Sequence, residues 1–440
     1  GEQVYISVGT YSENINFAGR NISVIGEDKE TTIIDGGGNG SVVTFNNGET
    51  NSALLSNLKI TNGNAHPKGG GLYITGGASP TIDNVIISEN ICNQSQGGSG
   101  GGIMIEYSAS TILNNVTIEN NIGVQGGGIF IDHQANVTLN NCTIRNNTAS
   151  SSGGGISSYV SNIEINNSII ANNYANQANG GISIDDNSVI NMNFCTVARN
   201  GGNPNNTINA AGIHLNNSNA SINNSIVFSN DNALPSISQN ESVLSITYSN
   251  IEMGLETIYP FGEYDETNIN SDPLFVTNLD VAYSPSTRGD FRLLEGSPSI
   301  NAGDPDAETE DKDLANEDRI TAGRIDMGAY EGEVDPMTLP PPKEYKVDEN
   351  ASPGGNGLTW GTAFRFFRDA LAISSQGDII RVARGSYYPD DGGKDNDRES
   401  MFAIPSGVKI YGGYPTGGGE RDLNSNPTIL SGDIRQNGDK

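Results

Sequence analysis

The chain has 440 residues, with 52 acidic against 23 basic side chains and a formal charge of −29. No block of Lys or Arg stands out, so nucleic acid and anionic membrane surfaces are poor partners, and divalent cations are better ones; a negative surface also simply keeps a long secreted protein soluble. Charged residues make up 17% and aromatics 7% while Gly numbers 56, which favours turns and small aliphatic columns over long helices, and no run of eighteen apolar residues exists to form a membrane-spanning helix.

Residues 1–36 read as short strands, with Val4, Ile6 and Val8, then Ile22 and Val24, then Ile33 and Ile34, separated by turn residues. The chain begins inside this strand pattern with no signal peptide at Gly1, and a processed or excised piece is expected.

From Ser41 to about Gly254 a repeat is plain, and Gly126 to Asn147, GGGIFIDHQANVTLNNCTIRNN, shows one unit of it. Leu72, Ile103, Ile129, Ile156, Ile182 and Ile213 fall in one column, at steps of 31, 26, 27, 26 and 31 residues. A second column runs Asn57, Asn84, Asn115, Asn141, Asn167 and Asn224, with Phe194 in place of Asn; a third runs Ile60, Ile87, Ile118, Ile144, Ile170, Val197 and Val227. Columns that keep step through insertions are a structural repeat. Within the unit, Ile129 and Ile131, Val137 and Leu139, and Cys142 and Ile144 alternate with polar residues, the period of strands with one buried face. Such a unit has no core of its own, but coils stacked at about 4.8 Å bury a continuous one, which predicts a parallel β-solenoid.

The Asn column is expected to form a hydrogen-bonded ladder at one turn, with a local adjustment where Phe194 interrupts it. The glycines before Ile103, Ile129 and Ile156 supply positive φ at another corner. Cys142 and Cys195 share the inward column of Val85, Val116, Ser168 and Ser225 two coils apart, about 9–10 Å and beyond disulfide reach, so both are predicted buried thiols; Cys92 is placed in a turn region. Insertions at 90–99 and 200–209 are expected to project from the turns.

After Ile251 the pattern loosens into Asp272-Pro273-Leu274-Phe275, Ser297-Pro298-Ser299-Ile300-Asn301-Ala302-Gly303-Asp304 and Asp326-Met327-Gly328-Ala329-Tyr330-Glu331. With the repeats, these segments resemble the closing segments of bacterial secreted and surface proteins with a right-handed parallel β-helix of the pectate-lyase type. That resemblance implies an all-β right-handed parallel β-helix over nearly the whole chain. It does not select an activity, because the architecture carries lyases, hydrolases and adhesive proteins alike.

Pro336 and the run Pro340 to Pro342 mark a stiff linker, 333–344, between a first domain, 1–332, and a second, 345–440. Gly377 to Tyr387 matches Gly1 to Tyr11, Val408 to Gly412 matches Ile22 to Gly26, and Thr428 to Gly432 matches Thr32 to Gly36. The second domain therefore reads as the capped start of another β-helix. Its cap is a predicted helix over Thr362 to Ser375, with Ala363, Phe366, Phe367, Ala370, Leu371 and Ser374 at helical spacing. The first domain lacks an equivalent cap, so residues preceding Gly1 are expected to be missing and similar domains to be strung in tandem.

One outward column reads Glu106, Asp132, Tyr159, Asp185 and Asn216. Glu106 and Asp132 are expected about 5 Å apart, near enough for a carboxylate pair or, with Asp185, a cation site. Calcium is the cation such a pair suits, although no cofactor is required. The basic residues Lys59, Arg145 and Arg199 do not share an outward column with the pair, and His133 and His214 take different positions in the unit. The acidic loops 304–313 and 390–397 lack EF-hand spacing. These features favour a non-enzymatic structural or adhesive repeat module of a large extracellular or cell-surface protein, forming a stalk or filament and meeting neighbouring copies or surface glycans. The alternative is a secreted polysaccharide-degrading lyase or glycoside hydrolase using Glu106 and Asp132.

Overall fold

Three short runs of alternating residues per repeat close into a three-sided coil, because each run turns its apolar side inward and the polar residues between them make the corners. In the computed structural model the described residues are all but 66, 68, 93–97, 178, 203–209, 231–235, 253–261, 265, 278–288, 308–311, 321–323, 335–342, 375–377, 390–401, 403, 405–407 and 432–440. They divide into two units, Gly1–Val276 with Val281–Val334, and Thr277–Asp280 with Asp335–Lys440.

In the first unit, equivalent strands of successive coils pair in parallel to form faces of nine, eleven and ten strands. One coil supplies Ile129–Ile131 to the first face, Asn136–Asn140 to the second and Thr143–Arg145 to the third. Ile129 pairs with Ile103 on one side and Ile156 on the other, and Ile144 with Ile118 and Ile170, so the aligned columns are the actual registers. Their side chains are fully buried in one continuous core. Cys142 and Cys195 are buried free thiols, and burial pushes each up to about 12. Cys92, expected at a turn, instead lies buried in the two-residue strand Ile91–Cys92.

Between the second and third faces the chain turns on one left-handed residue. Asn57, Asn84, Asn115, Asn141, Asn167 and Asn224 have φ between 49° and 55°. Asn is suited to that conformation because its short amide bonds locally, and this is the first reason for the column. The ladder is partial: Asn84 donates to Asn57 at 2.8 Å and Asn167 to Asn141 at 2.5 Å, while Asn115 donates to Asp83 and Asn224 to Asn193. The adjustment expected at Phe194 does not occur. Phe194 keeps φ 54° and donates its N–H to Asn223 O at 3.2 Å, as Asn167 does to Asn193 O.

A second Asn column, unforeseen, lies inside. Asn90, Asn121, Asn147, Asn173, Asn200 and Asn230 are buried, and each of the first five donates its amide Nδ2 to Oδ1 of the next at 3.0–3.1 Å. The same Oδ1 atoms accept the preceding backbone N–H, so the ladder satisfies main chain and side chain together. Asn90 and Asn200 therefore anchor the insertions expected to project at 90–99 and 200–209, of which 93–97 and 203–209 lie outside the described residues. At the adjoining corner Gly126 has φ +62°, and a Cβ on Gly128 would meet Gly155 O at 2.7 Å. The first glycine serves conformation and the later one close stacking.

The described residues between Phe275 and Val334 do not continue the coils. Phe275, Phe291, Leu293, Met327 and Ala329 pack on Ile169, Ala171, Ala198 and Ile226, which point outward from the third face. This strap covers an apolar outer patch where other coils carry half-buried Thr143 and Arg145 or Thr117 and Glu119. Of the acidic loop 304–313, Asp313 is buried and accepts the N–H groups of Ala315, Glu317 and Glu331. The loop 390–397 and most of the proline linker lie outside the described residues.

The second unit reproduces the first coil with the same registers: Gln3 pairs with Ser23 as Ile379 does with Lys409, and Gly9 with Thr32 as Gly385 does with Thr428. Gly9 and Gly385 both have φ 148°, and Tyr11 and Tyr387 each donate a hydroxyl four residues back, to Ser7 O and Ala383 O. The helix is shorter than expected, Phe367–Ile373, after a 3-10 turn at Trp360–Thr362. Its Phe367, Ala370 and Leu371 cover Tyr345, Val347, Ile380 and Val382, closing the end of the coil.

Candidate functional site

The first face carries the outward acidic column. Register places Tyr159 beside Asp185, Asp185 beside Asn216 and Asn216 beside Asn240, and Glu106 and Asp132 directly follow the paired Ile105 and Ile131. The strands thus bring Glu106 and Asp132 to adjacent coils, while Asp185 stands two coils beyond Asp132 with Tyr159 between.

Their side chains take separate partners. Glu106, expected on an exposed face, is buried and accepts the Tyr73 hydroxyl at 2.6 Å. Burial and this bond push the Tyr73 phenol up to about 12, so it stays a donor to the carboxylate. Asp132 turns to its own neighbour: Oδ2 lies 2.9 Å from His133 Nδ1, and Oδ1 accepts the His133 N–H at 2.6 Å. Asp185 accepts the Ser183 hydroxyl at 2.8 Å, and burial raises its carboxyl above the usual range.

The next outward column was not assembled from the sequence. Ser183 pairs with His214 and His214 with Ser238, and His214 Nδ1 is 2.8 Å from Ser238 Oγ. Burial lowers His214, with the Asp185 charge acting against that shift. Phe130 and Tyr159 pack at 5.9 Å between centroids, and Gln125 donates to the Tyr159 hydroxyl. The signal for His214 was its place one register step from Ser183, readable once the Ile182 and Ile213 columns are aligned.

The nine strands of this face contain neither Lys nor Arg. Among the described residues no group of three or more His, Cys, Asp or Glu side chains could hold a metal ion. Chemically, the face offers buried neutral donors and acceptors with carboxylates already engaged.

The right-handed beta helix region family matches residues 12–176 and, overlapping, 101–255, together more than half of the chain. The chain belongs to the right-handed β-helix family. Its parallel three-faced coils are the architecture that this membership specifies. A search of curated proteins finds no match. Among solved structures this β-helix is similar to the pectate lyase Pel9A, at 16% identity and TM-score 0.42, covering 75% of this chain and 88% of that one. It is also similar to a pectin methylesterase in complex with a hexasaccharide, at 10% identity and TM-score 0.25, covering 62% and 85%. A further similarity is to the PL6 family alginate lyase AlyGC, at 12% identity and TM-score 0.24, covering 94% and 66%. These likenesses lend nothing to the reading of what this β-helix does. Among the described residues no helix is long and apolar enough to cross a membrane.

Proposed function

We propose that this chain is a non-enzymatic structural and binding module of an extracellular or cell-surface protein, its stacked coils a spacer and its corners the contact surfaces. The observation that carries this reading is the engagement of the two candidate carboxylates, Glu106 by Tyr73 and Asp132 by His133, which turns them to different partners. Cleavage of a glycosidic bond by a carboxylate pair needs both groups facing one bond, about 5–5.5 or 6.5–9.5 Å apart. Elimination across a uronate needs a base at the proton alpha to the carboxylate and a charge that neutralises the carboxylate, and the nine strands of this face hold no Lys or Arg for the second task. The repeat of the first coil in the second unit supports a chain of such modules meeting neighbouring copies.

The experiment is turnover on oligogalacturonate, alginate and neutral oligosaccharides, read as new reducing ends and as unsaturated product. The expected result is no turnover, unchanged in Glu106→Gln and Asp132→Asn. Turnover that either substitution abolishes establishes the enzyme instead. The enzymatic reading draws its one specific support from Asp185 and His214, a half-buried acid and a buried imidazole on paired strands of this face.

A further inference from the structure

The corner after the first face turns on a left-handed residue in each coil, and along the stack this position reads Tyr107, His133, Val160, Asp186, Asn217 and Glu241. Successive coils are linked there by Ser108 N–H to His133 O at 2.9 Å and Gln134 N–H to Val160 O at 2.8 Å. Asp and Asn accept this conformation readily, whereas a bulky or β-branched residue at positive φ is an outlier. Tyr107 at φ 55° and Val160 at 46° hold it nonetheless, either side of His133 at 53°, a residue type that tolerates it. They gain no burial by it: Tyr107 is 53% exposed and Val160 42%, and the His133 side chain is 50% exposed. Strain kept at exposed positions is a mark of functional surface.

The three residues line an open cleft of about 370 Å³ with Ser108, Asp132 and Gln134. Tyr107 and His133 stack in it at 4.4 Å and 28°. Asp132 Oδ2 lies 2.9 Å from His133 Nδ1 and holds the imidazole in place against the Tyr107 ring. The cleft therefore joins an apolar ring surface to polar groups: the Ser108 hydroxyl, the Gln134 amide and the His133 imidazole. It holds no Lys or Arg, and its one carboxylate sits on a chain of charge −29, so an anionic ligand is disfavoured.

We propose that this corner is a subsite for a neutral pyranose sugar, its C–H face on the Tyr107–His133 stack and its hydroxyls on the polar groups around it. The proposal rests on the reading of the chain as a binding module and names the ligand class of one contact surface.

The test is calorimetric titration of the whole chain with cellohexaose, mannohexaose and hexagalacturonate, for wild type, Tyr107→Ala, Tyr107→Phe and His133→Ala. Thermal melts establish that each variant is folded. The expected result is binding of at least one neutral hexasaccharide and not of hexagalacturonate. Tyr107→Ala should weaken it about tenfold, the worth of one aromatic stacking contact, while Tyr107→Phe stays close to wild type. Absence of binding by both neutral probes, or preference for hexagalacturonate, overturns the proposal. Binding unchanged in Tyr107→Ala also overturns it while leaving the binding-module reading intact. Cleavage of a hexasaccharide that still requires Tyr107 keeps the subsite and overturns the non-enzymatic reading.

Discussion

The guanidinium of Arg319 lies 4.6 Å from the centroid of the Phe194 ring, joining the C-terminal strap to the one coil whose left-handed turn carries Phe in place of Asn. Arg319 also donates to Gly328 O at 3.2 Å and to Asn167 Oδ1, and it stands 3.9 Å from Glu331, with both side chains of that pair 1% exposed. Arg319→Ala strips Phe194 of its cover and leaves Glu331 buried without a cation. The expected loss is up to about 3–5 kcal/mol of stability, with faster proteolysis between residues 290 and 334. Phe194→Asn removes the cation–π contact, worth roughly 0.5–2 kcal/mol, together with the burial of the ring. The two substitutions should be non-additive in a double-mutant cycle, and strict additivity would show that the ring and guanidinium do not couple.

Strap docking should depend on pH through Glu331. Burial pushes this carboxyl up to about 7, against about 4.3 in an unfolded chain. Between those values the folded protein binds the extra proton, so stability is highest below the lower value and falls as pH rises toward 7. Hydrogen exchange at Asp326 and Gly332, whose N–H groups bond to the Glu331 and Asp326 carboxylates, should be slower at pH 5 than at pH 8 after correction for intrinsic rates. Glu331→Gln should flatten that dependence, and a profile unaltered by it would assign the effect elsewhere.

The interior ladder should be costly to break. Asn147 Oδ1 accepts both the N–H and the Nδ2 of Asn121 at 3.0 Å, and its own Nδ2 donates to Ile118 O at 2.9 Å and to Asn173 Oδ1 at 3.0 Å. Asn147→Ala leaves the buried Asn121 N–H without its acceptor, at about 1–3 kcal/mol, and removes further bonds of Asn121 Nδ2, which keeps Ile87 O, of Ile118 O, and of Asn173 Oδ1, which keeps the N–H of residue 147. Urea denaturation should show a total loss well above that for Asn136→Ala, an exposed position expected to stay within roughly 0.5 kcal/mol. Equal losses at the two positions would deny the ladder its role.

The cap of the second unit should work on the first. Val4 is 46% exposed where its counterpart Ile380 is 0% exposed beneath the strand Glu344–Val347 and the helix. Joining residues 343–376 ahead of Gly1 supplies the same strand and helix in the same register. Burial of Val4 and Ile6 at about 1.5–3 kcal/mol each should raise Tm by several degrees. Leu371→Asp in the added segment should abolish the gain, and an unchanged Tm for the intact graft would mean that the two first coils are not equivalent.

The coil and its stacking were legible in the sequence because they rest on local periodicity. An inward residue every second position and a constant inward column from coil to coil leave one register for Ile103, Ile129 and Ile156. The same logic placed Glu106, Asp132, Tyr159, Asp185 and Asn216 in one file and matched the second unit to the first. The interior Asn column was equally present, three residues after Ile87, Ile118 and Ile144, but an Asn next to a turn reads as surface until the fold shows it enclosed. The strap had a weaker trace, in the outward apolar residues Ile169, Ala171, Ala198 and Ile226.

Only the tertiary structure decided which partner each outward side chain takes. Periodicity states the face a residue occupies, not the direction its carboxylate turns. Glu106 is closed by Tyr73 from the coil before, Asp132 by the residue beside it, and Asn167 by Lys312 O and Arg319 from a segment some 145 residues on. Such contacts follow from the shape of the finished surface, which no repeat along the chain encodes.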